Sequence, residues 1–178
     1  MAAESMDPIQ NASKLKLMGF DVDGVLTDGK LYYSAAGDEM KAFSTLDGHG
    51  LKMLRDAGVV LVIITGRRSK AVELRAKNLG IDILKQGIED KRAAMADILA
   101  SHGFDWSEAG YMGDDVVDLP LLRACGFSAT VTEGHDLVKQ YVDHVATKPA
   151  GAGAVREVCE LILASQEKLE AAMGKYLA

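Results

Sequence analysis

The sequence predicts an α/β protein in which a Rossmann-like parallel sheet forms the middle of three layers. Short apolar runs of the kind that form buried strands recur along the chain. Helix-like stretches separate most of these runs, and the stretches finish with a glycine, which is the usual signal at the end of a helix. Strands that alternate with helices form a parallel sheet that is covered on both faces.

Six apolar runs are the predicted strands of this sheet. They are KLKLMGF (14–20), VVLVIIT (59–65), IDILKQ (81–86), AGYMG (109–113), GFSATV (126–131) and YVDHVAT (141–147). Helices are predicted between them at GLKMLRDAG (50–58), SKAVELRAKNLG (69–80), KRAAMADILASHG (91–103) and DLPLLRACG (118–126). The chain therefore passes from strand to helix and back several times, as a doubly wound sheet requires.

One segment departs from this alternation. KLYYSAAGDEMKAF (30–43) has two strand-like halves around a turn, and this pattern predicts a β-hairpin inserted after the first strand. We expect one domain over residues 14–166, a flexible N-terminus at 1–13, and a helix end or tail at 167–178.

Composition argues against several classes of protein. Hydrophobic residues make up 48% of the 178 and charged residues 26%, which is typical of a protein that folds in water. The net charge of −6 argues against a nucleic-acid surface, and no run has the length of a membrane span. Cys125 and Cys159 lack the spacing of a disulfide framework or a zinc site. We therefore expect a cytoplasmic protein with neither a nucleic acid nor a membrane as partner.

Polar residues follow four of the predicted strands. In a parallel α/β sheet, ligands bind beyond the carboxyl ends of the strands, so these residues are candidates for a common site. They are Asp21 and Asp23 in DVDG, Thr65 in TGRR, Lys91 in GIEDK, and Asp114, Asp115 and Asp118 in GDDVVD. The sequence predicts that the four groups converge in space.

Carboxylates and a lysine at one place are suited to phosphoryl transfer. Mg²⁺ prefers oxygen ligands, and Asp21 and Asp114 are the first choices for its side-chain ligands. With the negative charge neutralised, a carboxylate can attack phosphorus and form an aspartyl-phosphate. Asp23 can act as a general acid towards the leaving oxygen and then as a general base towards water. Thr65 and Lys91 are candidates for binding the phosphoryl oxygens.

These motifs give the sequence a resemblance to a known family. DVDGVLTDG, ITGR, Lys91 and GDDVVD resemble, in order, the four motifs of the haloacid-dehalogenase superfamily of phosphatases. The resemblance implies that Asp21 is the nucleophile and Asp23 the acid/base. It also implies that Asp21, the Asp23 carbonyl and Asp114 bind Mg²⁺, while Thr65 and Lys91 bind phosphate.

The resemblance extends over about residues 14–166 to the 3-deoxy-D-manno-octulosonate 8-phosphate phosphatase family, through the hairpin with KAFSTLDGHGL and through GAVREVCELIL. It implies hydrolysis of that sugar acid phosphate in lipopolysaccharide precursor synthesis. It further implies a homotetramer without a cap domain, and Arg67 and Arg75 as contacts of the substrate. The chain departs from the family pattern at Ile88, Glu89 and Ala152, so the identity of the sugar stays open.

Alternatives remain at this point. A phosphatase for a nine-carbon keto sugar acid phosphate is the nearest, although its pattern tends to carry an acid at the position of Arg67. A phospho-accepting receiver domain also gathers acids, a threonine and a lysine around Mg²⁺, but there the threonine and lysine follow the acids. Lysines at the start of helices, such as Lys91, are usually solvated, and Asp28, Asp115, Asp118 and His49 have no assigned role.

Overall fold

A six-stranded parallel sheet lies at the centre of the computed structural model, which describes residues 7–177. Its strands are β1 (Leu17–Phe20), β4 (Val60–Thr65), β5 (Ile83–Gln86), β6 (Ala109–Met112), β7 (Phe127–Thr130) and β8 (His144–Val145), while β2 (Tyr32–Tyr33) and β3 (Glu39–Met40) form a separate two-stranded sheet. The helices are α1 (Pro8–Ser13), α2 (Thr45–Asp56), α3 (Lys70–Leu79), α4 (Lys91–His102), α5 (Leu119–Leu122), α6 (Asp136–Lys139), α7 (Ala154–Ser165) and α8 (Leu169–Gly174).

The order of the strands places β1 at the point where the chain reverses direction across the sheet. The order is β5–β4–β1–β6–β7–β8, and every neighbouring pair is parallel. The chain first moves from β1 outwards through β4 and β5, and then returns to β6 on the other side of β1. Such a reversal leaves a crevice at the carboxyl ends of the strands, where ligands of this architecture bind.

Two apolar cores lie on the two faces of the sheet and make it the middle of three layers. Alternate residues of a strand face opposite sides, so Phe20 and Ile63 pack with α1, α2, α3 and α7. Val62 and Tyr111 pack with α4, α5 and α6 on the other face. The predicted three-layer α/β class is thereby confirmed.

The hairpin also forms where the sequence predicts it. Strands β2 and β3 pair in antiparallel fashion, with Tyr32 opposite Met40 and Tyr33 opposite Glu39. The hairpin projects from the connection between β1 and α2, and no separate cap domain is present within residues 7–177. No helix in this range combines the length and the apolar character that crossing a membrane requires.

The N-terminal segment differs from the expectation of a flexible start at residues 1–13, and the segment 167–178, expected to be a helix end or tail, contains a separate short helix. Residues 1–6 lie outside the described residues, but Pro8–Ser13 form α1 because Asp7 caps the helix and Ala12 is buried in the core. At the other end α7 stops at Ser165, and after Glu167, whose φ is +57°, the separate helix α8 begins. Long-range packing therefore orders segments whose local sequence has weak signals.

Candidate active site

A cleft of about 460 Å³ opens at the carboxyl ends of the central strands. Asp21 directly follows β1, Thr65 ends β4, Lys91 begins the helix after β5, and Asp114 follows β6. The predicted convergence of the four motifs is thus present in the fold. The residues that line the cleft are Asp21, Asp23, Thr65, Gly66, Arg67, Ile88, Glu89, Lys91, Asp114, Asp115 and Val117.

Lys91 lies at the floor of the cleft and contacts two carboxylates. Its Nζ lies 2.8 Å from Asp21 Oδ2 and 2.6 Å from Asp118 Oδ1. It also donates to the hydroxyl of Tyr111 at 3.3 Å, and Tyr111 in turn donates to the carbonyl of Ile64 at 2.9 Å. These contacts hold the lysine in a buried position rather than at the surface.

The charges of this cluster shift the pKa values of its members. Burial lowers the pKa of Lys91, but the neighbouring Asp21 and Asp118 outweigh it, and the pKa lies above its ordinary value. Burial raises the pKa of Asp21, although Lys91 opposes this effect. The ammonium is therefore a fixed positive charge beside the carboxylate of Asp21.

Gly24 allows Asp114 to approach the DVDG loop. Its φ is +86°, a left-handed conformation that side chains disfavour, and a Cβ at this position would lie 2.1 Å from Asp114 Oδ2. Burial, followed by the charges of Asp21, Asp118 and Asp115, raises the pKa of Asp114 to about 7. A nearby cation would strongly stabilise the ionised form of this carboxyl group.

Carboxyl oxygens of Asp21, Asp114 and Asp118 lie within 4.8 Å of one another, and this donor set fits Mg²⁺. When all are ionised, the three acids and Lys91 leave two formal negative charges, which a divalent cation balances. Asp118 is completely buried, and besides Lys91 it accepts the backbone N–H groups of Asp114 and Asp115, at 3.1 and 3.2 Å. Asp118 therefore holds the GDD loop in place, which leaves Asp21 and Asp114 as the accessible side-chain ligands.

Asp23 has a different set of partners, although it lies only two residues from Asp21. Its Oδ1 accepts a short hydrogen bond from Lys41, and its Oδ2 lies 3.8 Å from Arg67 Nε. Glu39 joins the same two cations, at 3.2 Å from Lys41 and 2.7 Å from Arg67. We call Asp23, Lys41, Glu39 and Arg67 the ion-pair ring. It connects the hairpin to the mouth of the cleft.

Thr65 and Gly66 form another wall of the cleft. Thr65 is buried, and its carbonyl accepts the N–H of Ile88 at 3.1 Å, which ties the end of β4 to the loop before α4. Ile88 and Glu89, the two departures from the family pattern, both line this side of the cleft. Ala152, the third departure, is exposed and does not line it.

Three residues named from the sequence lie elsewhere. Arg75 is not brought to the cleft, because it donates to the carbonyl of Ser44 at 2.9 Å and lies against Phe43. Asp28 is exposed and accepts the hydroxyl of Tyr32 at 2.6 Å, at the base of the hairpin. His49 packs edge-on to a tyrosine of the C-terminal segment, with ring centres 5.4 Å apart.

Sequence reasoning did not find Lys41 and Tyr111. Lys41 stands two residues after Glu39, so an acid and a base share one side of an extended segment, and this spacing was the available signal. A tyrosine in a buried strand is a second signal, because its hydroxyl needs a partner. Both residues act over long sequence distances, as Lys41 reaches Asp23 and Tyr111 reaches Lys91.

Comparisons with known proteins agree with this geometry. A family model described as haloacid dehalogenase-like hydrolase matches residues 74–158. The 3-deoxy-D-manno-octulosonate 8-phosphate phosphatase of Yersinia pestis is 43% identical over 168 residues, which cover 94% of this chain and 90% of the relative. The phosphatase of the same name from Escherichia coli (strain K12) is 40% identical over 171 residues, which cover 96% of this chain and 91% of the relative.

Solved structures show the same likeness. The 3-deoxy-D-manno-octulosonate 8-phosphate phosphatase from Moraxella catarrhalis, in complex with magnesium ion, phosphate ion and KDO molecule, has a TM-score of 0.93 at 43% identity, and the match covers 95% of this chain and 97% of that one. The cobalt-bound phosphatase from Haemophilus influenzae has a TM-score of 0.87 at 40% identity, with 90% and 94% of the two chains covered. Both contain a bound metal, and the donor set of this cleft is also suited to one.

Identity at this level extends over nearly the whole length of both chains and includes the segments that form the cleft. The order of the strands, the inserted hairpin and the four motifs at the strand ends are consistent with it. The chain therefore belongs to the haloacid-dehalogenase-like hydrolases, in the family of the 3-deoxy-D-manno-octulosonate 8-phosphate phosphatases.

Proposed function

We propose that the protein is a Mg²⁺-dependent phosphatase that hydrolyses 3-deoxy-D-manno-octulosonate 8-phosphate to the free sugar acid and phosphate. The observation that carries the proposal is the convergence of Asp21, Lys91 and Asp114 at one floor of a cleft. Relatives that share this architecture over nearly the whole chain bear the name of this activity. The reaction proceeds through an aspartyl-phosphate on Asp21.

The first step is attack by Asp21 on phosphorus. Lys91 and the hydroxyl of Thr65 bind the phosphoryl oxygens, and Lys91 offsets the negative charge that collects on them. Asp21, Asp114 and the backbone carbonyl of Asp23 would hold Mg²⁺, which would supply further neutralisation of the phosphate charge when bound. Asp23 donates a proton to the departing sugar oxygen, because an alkoxide is a poor leaving group.

The second step is hydrolysis of the aspartyl-phosphate. Asp23, now a carboxylate, removes a proton from the attacking water, and Asp21 is released as the phosphoryl group leaves. Asp23 thus returns to its protonated form for the next turnover. Lys91 keeps its charge throughout, since the acids around it raise its pKa.

Arg67 is the candidate for recognising the sugar acid. Its guanidinium lines the cleft, its side chain is 44% exposed, and it pairs with Glu39 at 2.7 Å. A substrate carboxylate can compete with Glu39 for the same forked donor. A phosphatase specific for the nine-carbon keto sugar acid phosphate is the second candidate, and the charge at position 67 is the feature that separates the two.

A panel of sugar phosphates assayed with Mg²⁺ tests the proposed substrate. We expect the highest kcat/KM on 3-deoxy-D-manno-octulosonate 8-phosphate. Arg67→Met should raise KM for this substrate more than for a sugar phosphate that has no carboxylate. Arg68→Met is the matched control, since Arg68 does not line the cleft. Equal or greater efficiency on the nine-carbon ester overturns the eight-carbon assignment.

We further propose a cytoplasmic homotetramer. The hairpin exposes an apolar surface made of Leu31, Tyr32, Tyr33 and Met40, and such a surface beside a cleft fits a contact between subunits. Light scattering should give four times the mass of the chain, and Tyr33→Glu with Met40→Glu should lower it. A monomeric wild-type protein contradicts this part of the proposal.

A further inference from the structure

Lys41 is the most deeply buried member of the ion-pair ring. Its side chain is 1% exposed, whereas the side chains of Asp23 and Glu39 are 20% and 18% exposed. A lysine ammonium without contact to water needs anionic partners, and the only carboxylates paired with it among residues 7–177 are those two. Lys41 is therefore fixed by Asp23 and Glu39, and it fixes them in return.

The contact selects one oxygen of Asp23. Lys41 engages Oδ1, while Oδ2 receives no hydrogen bond from any residue between 7 and 177, and its nearest cation is Arg67 Nε at 3.8 Å. Asp23 itself lines the cleft, as do Lys91 and Asp114. One oxygen is thus anchored in protein, and the other remains free for a reacting group.

We propose that Lys41 is a positioning residue for phosphoryl transfer, whose buried ammonium anchors Asp23 Oδ1 so that Oδ2 is presented to the leaving oxygen of the substrate. This inference rests on the proposed function, in which Asp23 protonates that oxygen. Lys41 acts through Asp23 and does not touch the substrate.

The hairpin acquires a second role from this contact. Glu39 lies in β3 and Lys41 directly follows that strand, so the position of the hairpin determines where the ammonium lies. Arg67 closes the ring from the loop after β4. The orientation of the acid/base is therefore coupled to an element that is inserted into the fold and is not part of the central sheet.

The dependence of the rate on the leaving group tests this inference. A sugar phosphate loses an alkoxide and needs a proton from Asp23, whereas 4-nitrophenyl phosphate loses a stable phenolate and does not. Single-turnover rates isolate the first step for both esters. Lys41→Met should lower the rate on the sugar phosphate by about 100-fold, which is typical of lost general acid catalysis, and should change the rate on the aryl ester by less than about threefold.

Two further variants keep the test decisive. Lys30→Met is the matched control, since Lys30 lies at the start of the same hairpin but is exposed, and both of its rates should stay unchanged. Lys41→Arg keeps the positive charge and serves as the second variant if Lys41→Met does not fold. Because its donor atoms are displaced, it should still lower the rate on the sugar phosphate about tenfold more than the rate on the aryl ester.

Equal losses on the two esters in the folded Lys41 variants, or no loss on the sugar phosphate, overturn the inference. The alkyl ester in this experiment is the sugar phosphate that the wild-type protein hydrolyses fastest. A different sugar preference therefore contradicts the proposed substrate and leaves the test of Lys41 intact.

Discussion

Two aspartates that are two residues apart lie in different electrostatic environments. Asp21 is buried beside Lys91, within reach of Asp114, while Asp23 lies nearer the mouth of the cleft and pairs with Lys41. The first environment suits a nucleophile that a cation and an ammonium neutralise together. The second holds one oxygen of Asp23 against Lys41 and leaves the other without a hydrogen bond from residues 7–177. Chemically identical side chains thus have different partners, in agreement with the different roles that we propose for them.

Gly24 should be essential for metal binding because only glycine leaves room for Asp114. In Gly24→Ala the new methyl group would meet the Asp114 carboxylate at 2.1 Å, so the ligand must move. We expect Mg²⁺ affinity, measured by titration calorimetry, to fall at least about tenfold, since one carboxylate ligand is displaced.

Gly37→Ala is the control for this variant. Gly37 has a φ of +88°, close to that of Gly24, but a Cβ there meets nothing within 4 Å. Both substitutions should cost about 1–2 kcal/mol in stability because of the left-handed backbone, and only Gly24→Ala should weaken Mg²⁺ binding. Equal Mg²⁺ affinity in the two variants would show that the approach of Asp114 to the loop is unimportant.

The affinity for Mg²⁺ should depend on pH around neutrality. The pKa of Asp114 is raised to about 7, and Mg²⁺ binds the deprotonated carboxylate, so protons compete with the metal below that pH. The dissociation constant for Mg²⁺ should rise up to about tenfold for each unit of pH below 7 and level off above pH 8.

Stability without metal gives an independent check on the same carboxyl group. The pKa of this carboxyl group is about 3.9 in the unfolded chain and about 7 in the folded protein. Its protonation therefore stabilises the folded protein fully below about pH 3.9, and this contribution to stability is lost as the pH rises through 7. Asp114→Asn should remove this part of the pH dependence of stability.

The Mg²⁺ titration has its own contradicting outcome. A dissociation constant for Mg²⁺ that stays constant between about pH 6 and pH 8 is incompatible with the raised pKa of Asp114.

At the level of secondary structure, local signals predicted some boundaries well. Helices α3 and α4 are capped at their C-terminal ends by Gly80 and Gly103, which take the left-handed conformation with φ of 69° and 67°. Helix α2 begins at Thr45, earlier than its apolar pattern indicates, because the side chain of Ser44 caps it. Helix α6 was not predicted, since its four residues are too few to show a period.

A buried aspartate connects α2 to the start of α7. Asp47 Oδ1 accepts the N–H of Arg156 at 2.9 Å, and Oδ2 accepts the N–H of Gly153 at 3.4 Å. Asp47→Ala leaves these donors without a partner and should lower the free energy of unfolding in urea by about 2 kcal/mol. Asp56→Ala, at the exposed end of the same helix, should change it by less than about 0.5 kcal/mol. A similar decrease in the free energy of unfolding in both variants would contradict this role of Asp47.

At the level of the whole molecule, the topology explains why the site was predictable. Parallel strands end at one edge of the sheet, so residues that follow β1, β4, β5 and β6 in sequence meet in space. The motifs around Asp21, Thr65, Lys91 and Asp114 could therefore be placed together before the structure was known. This inference needs only the order of the strands and the positions where they end.

The remaining features depend on contacts between distant parts of the chain. The pairing of Lys41 with Asp23 requires the hairpin to fold back over the loop after β1, and no local pattern specifies that arrangement. Arg75 has the charge of a substrate contact but is held at the start of α2 by the carbonyl of Ser44. Lys41 and Arg75 are both basic, and only their positions in the folded chain show that the first lies beside the cleft and the second does not.

The formation of an aspartyl-phosphate on Asp21 is the central claim, and trapping it is the most direct test. Enzyme mixed with ³²P-labelled sugar phosphate and Mg²⁺ is quenched in acid, and the labelled peptide is identified by mass spectrometry. Label should appear on the peptide that contains Asp21, and it should be absent in Asp21→Asn. With ³²P-labelled 4-nitrophenyl phosphate as the donor, label should accumulate on the same peptide in Asp23→Asn. Label on another residue, or turnover by Asp21→Asn at a rate near that of the wild type, would contradict the claim.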